Sequence, residues 1–287
     1  MTTEEQKLQD EKEVLMMTME MDEHKFYVDP TAEIEHPPVA LSFGDYKIGG
    51  ESYPTPLGTF GNIIGIAAPP KSTKTFFTSL LTSTFLKGQV GYSGRMRGFR
   101  EGKSVFHFDT EQSRYHSQRV FKRVLRMTEE EDDKYYTYSL RSMSHDERLA
   151  FIEYCLYYKQ GVGDIGLVII DGIADLCSDV NQIDECNKVI QKLMKWSEEL
   201  NCVIVSVIHT NHNSNKATGH LGSSLAKKVE TLVLLNKNED GIIDVTCQES
   251  RNFPFDNFQY KINEWGLPVV LDDAEELFKY TEFKKII

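Results

Sequence analysis

Long apolar runs are missing from this chain. No stretch approaches the ~18 residues that a membrane-crossing helix needs, and no basic-then-apolar leader opens it. A cytoplasmic protein with no membrane partner is the expectation. Cysteine is scarce too: Cys155, Cys177, Cys186, Cys202 and Cys247 are scattered and never spaced C-x-x-C. That excludes a disulfide framework and a cysteine-built zinc site, and it fits a reducing compartment. Among eight histidines the closest pair, His209 and His212, has no cysteine or carboxylate cluster beside it, so no metal site made by the protein alone is expected. Positive charge is in deficit, with 32 basic against 44 acidic residues and a net charge of −12. A general electrostatic grip on nucleic acid is thereby disfavoured; a local basic channel is not.

What is present suffices for a core. Apolar residues make up 40% of 287, which suits one large α/β domain with extensions or two small domains. Residues 1–37 are acidic and Met-rich. They read either as a mobile arm or as a short amphipathic helix over Glu13–Met21, through Val14, Leu15, Met17 and Met21, that docks on a neighbouring subunit. Residues 38–274 carry the domain, and 275–287 read as a helical tail ending in Lys284-Lys285.

Within the domain, Val39–Phe43, the Gly49-Gly50 turn, Pro54 and Pro56 read as a small hairpin or cover. Asn62–Ala67, Ser104–Asp109, Tyr135–Leu140, Ile165–Ile170 and Cys202–Ile208 read as strands. Helices are expected over Lys74–Lys87, after a Ser113 cap, from Ser144 to Tyr158, and over Gln182–Leu200 with a stripe at Ile183, Val189, Ile190, Leu193, Trp196 and Leu200. A short helix through Val229 precedes closing strands at Thr231–Leu235, Ile242–Glu249 and Phe258–Ile262. The runs at Ile165 and Cys202 are apolar at every position, as in strands covered on both faces. The alternation predicts an α/β fold with a mostly parallel central sheet and helices on both faces.

One loop is short of glycine where glycine matters. Ala68-Pro69-Pro70-Lys71-Ser72-Thr73-Lys74-Thr75-Phe76 joins an apolar strand to a helix, the layout of a phosphate-binding loop. Against the pattern G-x-x-x-x-G-K-[ST], Ala68 stands at the first glycine and Thr73 at the second. Those glycines ordinarily permit positive φ and close approach of backbone to phosphate. Taken alone, the stretch also fits an ordinary strand–turn–helix with a surface lysine.

Further strand ends bear polar residues, and ligands of open α/β sheets bind beyond the carboxyl ends of strands. Glu111 follows one, Asp171 another and His209 a third. Each singly fits a turn former, a solvated acid or a packed histidine; together they suit ATP with Mg²⁺, whose chemistry needs positioning and charge stabilisation. In that reading residues 68–76 cradle the phosphates and Lys74 neutralises the outer ones. Thr75 and Asp171 hold Mg²⁺, Glu111 polarises the attacking water, and His209 senses the γ-phosphate. Arg95, Arg97 and Arg100, in the glycine-containing loop 88–102, fit either a surface loop or a basic lip on a phosphate backbone.

From Leu41 to Val270 the chain resembles the RecA-like P-loop ATPases, and among them the hexameric replicative helicases of the DnaB and plasmid RepA type. Gly61-Asn62-Ile63-Ile64-Gly65-Ile66 with Lys71-Ser72-Thr73-Lys74-Thr75 is similar to the family's phosphate loop in a degenerate form. Phe106 to Ser113, with Gln118-Arg119, resembles the segment that places the catalytic glutamate. Leu167 to Asp171 resembles the Walker B strand, and Val207 to Thr210 the sensor strand. Gln248 to Asn252 lies where such proteins carry a basic finger, which makes Arg251 a catalytic candidate in a neighbour's site. The resemblance implies a homo-oligomeric ring, such as a hexamer, or a filament, with ATP between subunits and single-stranded DNA along the axis. In that picture Asn211–Lys216, with Lys227 and Lys228, faces the nucleic acid; a solvated helix face is the other reading of the lysine pair.

Two functions follow from different classes. One is an ATP-hydrolysing motor on single-stranded DNA in replication or recombination. The other is a nucleotide-switched regulatory or assembly ATPase that unwinds nothing. A small-molecule kinase is disfavoured, because no arginine-rich lid follows Asp171.

Overall fold

The computed structural model describes residues 3–70, 72–88, 95–129, 131–210 and 217–271. Lys71, the loop Asn211–Lys216, residues 89–94 of the arginine loop and the tail from 272, all assigned above from sequence, lie outside the described residues. The chain divides after His36 into two units.

The first unit is built on helix α1 (Thr3–Phe26), far longer than the expected Glu13–Met21. Its apolar residues Val14, Leu15, Met16, Met17, Met19 and Met21 are all exposed. Because they run almost consecutively, they spread around the helix and make no single stripe. Local pairs such as Lys7–Glu11 and Lys25–Asp22 support it.

The second unit opens with a hairpin, β1 (Val39–Ile48) and β2 (Glu51–Thr59), turning at Gly49-Gly50. Pro54 and Pro56 sit inside β2, so the expected hairpin forms with prolines within its second strand. An edge strand tolerates them because its outer N–H groups need no partner, and β2 is the edge of a three-stranded sheet ordered β2-β1-β4, with β4 at Met96–Gly98.

Among the described residues the main sheet has nine strands. Six are parallel to one another: β3 (Ile63–Ala68), β5 (Ser104–Asp109), β6 (Tyr135–Ser139), β7 (Ile165–Asp171), β8 (Val203–His209) and β9 (Thr231–Lys237). Then β10 (Ile243–Ser250), β11 (Phe258–Ile262) and β12 (Pro268–Val270) extend it antiparallel. The order is β12-β11-β10-β9-β3-β8-β7-β5-β6, so β3 lies directly beside β8, and β7 beside β5.

Alternation along the strands divides the core. On one face Ile64, Ile66, Leu167, Ile169, Val203 and Val205 pack with Phe77, Leu80, Leu81 and Phe85 of α2 (Lys74–Lys87). Helix α3 (Arg114–Thr128) covers the same side and contributes Met127. On the other face Ile63, Val168, Ile170 and Ile204 meet Cys186, Val189, Leu193 and Trp196 of α5 (Ile183–Glu199) and Leu221 and Leu225 of α6 (Gly219–Ala226). This is the expected α/β architecture, a mostly parallel sheet with helices on both faces.

Local features depart from the expected elements at a few positions. Ile183, counted in the α5 stripe, is exposed at the first turn. Ser113 occupies the N-cap of α3, yet its side chain makes no cap hydrogen bond. Helix α4 (His145–Glu153) starts with a Ser144–Glu147 capping box. It passes into a π turn over Tyr154–Tyr158 that buries Cys155 and Leu156, so the expected single helix is two segments. All five cysteines are free. No described helix is long and apolar enough to cross a membrane.

Candidate active site

The loop after β3 has the geometry of its degenerate sequence. Ser72 is buried and turns back on the strand end through its N–H and hydroxyl, both donating to the Pro69 carbonyl. Thr73 takes φ 67° and ψ 26°, the left-handed conformation that glycine supplies in the standard pattern. Its carbonyl accepts from Phe76 N at 2.9 Å, which starts α2. Lys74 and Thr75 therefore stand at the first two helical positions, where the backbone N–H groups point out of the helix end and the dipole is positive. Ala68 ends β3 fully buried, and Pro69 and Pro70 carry the chain out of the sheet.

Because β3 and β8 are neighbours, with Ala68 opposite His209, three of the residues singled out at separate strand ends meet. The Lys74 ammonium donates to His209 Nδ1 at 3.0 Å and to the Pro69 carbonyl at 3.4 Å. His209 Nε2 lies 3.6 Å from Glu111 Oε2. An ammonium has no acceptor, so Nδ1 must be the bare nitrogen and Nε2 carries the proton toward Glu111. His209 beside it holds the Glu111 carboxyl below its ordinary range. Burial lowers the Lys74 pKa, against the opposing charges of Glu111 and Asp171. Lys74, Glu111, Asp171, Asp175 and His209 line one cavity of about 200 Å³.

Asp171 and Asp109 are register partners across β7 and β5. Burial first, and then Asp109, push the Asp171 carboxyl up to about 7. Its Oδ2 is buried without a hydrogen-bond partner. Such a group is costly unless something positive or protic joins it, so an Mg²⁺ ion fits here. No cluster of three metal-ligating side chains occurs among the described residues. A hard cation at Asp171 would therefore take its remaining ligands from hydroxyl, phosphate and water oxygens, as Mg²⁺ commonly does.

Asp109, the last residue of β5, belongs to the site although its sequence position marks it only as a strand end. Its Oδ1 accepts from Glu111 N at 3.1 Å and Gln112 N at 2.8 Å, and its Oδ2 accepts from Gln112 Nε2 at 3.0 Å. It thus fixes the turn that presents Glu111. Thr110 ties the same turn to the next strand end, donating to the Gly172 carbonyl or to Asp175 Oδ2, each at 2.8 Å. The signal was the string Asp109-Thr110-Glu111-Gln112, in which a short carboxylate precedes free backbone donors.

A second cluster escaped the sequence because its members come from three distant segments. Phe76, Arg119, Lys122, Arg123, Arg126 and Trp265 line a cavity of about 260 Å³. The four cations recur at helical spacing along α3. The Arg123 guanidinium lies 3.5 Å over the Phe76 ring and donates to the Thr75 carbonyl at 3.0 Å. Burial pushes its pKa down to about 10, with Arg119 adding to the effect. A larger cavity, about 700 Å³, lies between α3 and β6. Among the described residues its lining has no carboxylate or lysine and shares no residue with the groups above.

Arg251 does not join the Lys74 cluster within the chain. It is exposed, and its guanidinium faces the carbonyls of Lys227 and Lys228 beyond α6. Those two lysines are exposed as well.

No curated protein matches this chain. A family model described as an AAA domain matches residues 56–215, a span that includes the loop at 68–76, Glu111, Asp171 and His209. That span is more than half of the 287 residues and lies on a RecA-like sheet, so the chain belongs to this AAA domain family and carries a P-loop ATPase domain.

Proposed function

We propose that the protein is an ATP-hydrolysing motor that acts on single-stranded DNA, a helicase-like subunit of a homo-oligomeric ring or filament. The observation that supports the chemistry is the line Lys74–His209–Glu111 beside the unpartnered oxygen of Asp171. The first-turn N–H groups and Lys74 take the charge of the β- and γ-phosphates. Thr75 and Asp171 would hold Mg²⁺, which supplies further neutralisation of charge on the phosphates. Glu111 orients a water in line with the γ-phosphorus and accepts its proton as the bond to the ADP oxygen breaks. His209 lies between the lysine and the glutamate and is the residue through which γ-phosphate loss is felt. The cavity of Phe76, Arg123 and Trp265 offers the base a stacking and cationic surface. Arg251, exposed and one residue beyond β10, is the finger toward a neighbour's nucleotide. Helix α1, with its exposed Met and Val residues, is a contact for a neighbouring copy or another replication protein.

The DNA part rests on the family resemblance. The test is Mg²⁺-dependent ATP hydrolysis by the wild type, Lys74→Ala and Glu111→Gln, with and without single-stranded DNA over a salt series. Hydrolysis abolished in both variants, stimulated by DNA and weakened steeply by salt is the expected result. Activity unchanged by both substitutions refutes the mechanism. The net charge of −12 favours the alternative, a nucleotide-switched assembly ATPase. Nucleotide binding without single-stranded DNA binding at low salt would select it.

A further inference from the structure

Thr73 raises a question that the family pattern leaves open. A β-branched residue at φ 67° is a genuine backbone outlier, and such conformations persist only where the surroundings over-determine them. The surroundings here include Tyr260, on β11 in the antiparallel part of the sheet. Its hydroxyl lies 3.1 Å from Thr73 Oγ1 and donates to the Thr73 carbonyl at 3.1 Å. That carbonyl is the one that also accepts from Phe76 N.

Tyr260 is itself held fast. It is fully buried, pairs with Ile243 and Val270 on either side, and its ring stacks on Phe77 of α2 at 6.0 Å. Burial raises its phenol well above the ordinary range, so the hydroxyl stays protonated and remains a donor.

We propose that Tyr260 is a positioning residue for the phosphate loop: its hydroxyl holds Thr73 in the left-handed conformation that a glycine would take unaided, and so aims Lys74 and the first-turn N–H groups. The inference rests on the loop being a phosphate loop. It goes beyond that reading by assigning the missing glycine's role to a residue outside the motif.

A double-mutant cycle tests it, with the dissociation constant of a fluorescent ATP analogue measured for the full chain. Tyr260→Phe keeps the ring and its stacking and removes only the oxygen. With Thr73 present it should weaken binding about threefold to tenfold, the worth of one lost hydrogen bond, and raise KM more than it lowers kcat. In the Thr73→Gly background the same substitution should change binding less than about twofold, because glycine takes positive φ without help. Equal losses in the two backgrounds, or no loss with Thr73 present, overturn the proposal even when melting temperatures fall. A wild type that binds no nucleotide refutes the phosphate-loop reading and the brace together; a wild type that binds, with a flat cycle, refutes the brace alone.

Discussion

His107, two residues before Asp109 on β5, makes the fold sensitive to acid by an amount that follows from its surroundings. It is fully buried; its Nδ1 bonds the Tyr135 hydroxyl at 3.0 Å, its ring meets Phe121 edge-on, and its Nε2 has no partner. Burial, aided by the charge of Arg123, pushes its pKa from the ordinary 6.5 down to about 3. Between those values the unfolded chain takes up a proton that the folded chain refuses, so stability falls as pH falls. Each pH unit well inside the window costs about 1.4 kcal/mol. From pH 7 to pH 5 the loss from this group is about 2 kcal/mol. His107→Gln keeps an acceptor for Tyr135 and removes the titration. Urea unfolding of both proteins at pH 7, 6 and 5, followed by circular dichroism, isolates the effect from every other acid in the chain. The wild type should lose about 2 kcal/mol more than the variant over that range. Parallel losses would show that His107 is protonated in the fold and that the burial argument is wrong.

Two other substitutions probe packing and positioning. A methyl group at Gly98 would come within 2.5 Å of the Thr84 carbonyl oxygen and 2.6 Å of Phe85 Cα, both backbone atoms of α2. Gly98→Ala should therefore destabilise by about 1–3 kcal/mol and lower Tm; an unchanged Tm would contradict the close approach of β4 to the helix. Asp109→Ala frees the turn that carries Glu111, so kcat for ATP should fall about tenfold or more while nucleotide affinity holds. An equal fall in affinity would mean that Asp109 serves the phosphate loop instead.

Much of this architecture was legible because the signals were local. Helix α2 over Lys74–Lys87 and the strands Ser104–Asp109 and Phe258–Ile262 lie where periodicity and turn residues put them. The continuous apolar runs at Ile165 and Val203 became central strands, since both of their faces are covered. Strands of three residues, such as Met96–Gly98 and Pro268–Val270, are too short to show a period and were missed. The polar site was legible as separate strand ends, but the meeting of Lys74 with His209 depends on β8 lying beside β3, a pairing of segments far apart in the chain. The same holds for Arg123 over Phe76 beside Trp265. Ser113 shows the opposite failure: the right residue type at the right place, with its hydroxyl not used as a cap.

The contact between Thr73 and Tyr260 spans 187 residues of chain. A glycine-built loop carries its geometry with it and has it as soon as its own strand and helix form. Here the loop would acquire its shape only after β11 has joined the sheet, a late, non-local closure whose entropy must be met first. A chain truncated before β11, or still emerging from the ribosome, would bear the motif in sequence without the conformation. Nucleotide affinity would then report completion of the fold, and ATP, by binding only the finished form, would draw the last strands into place.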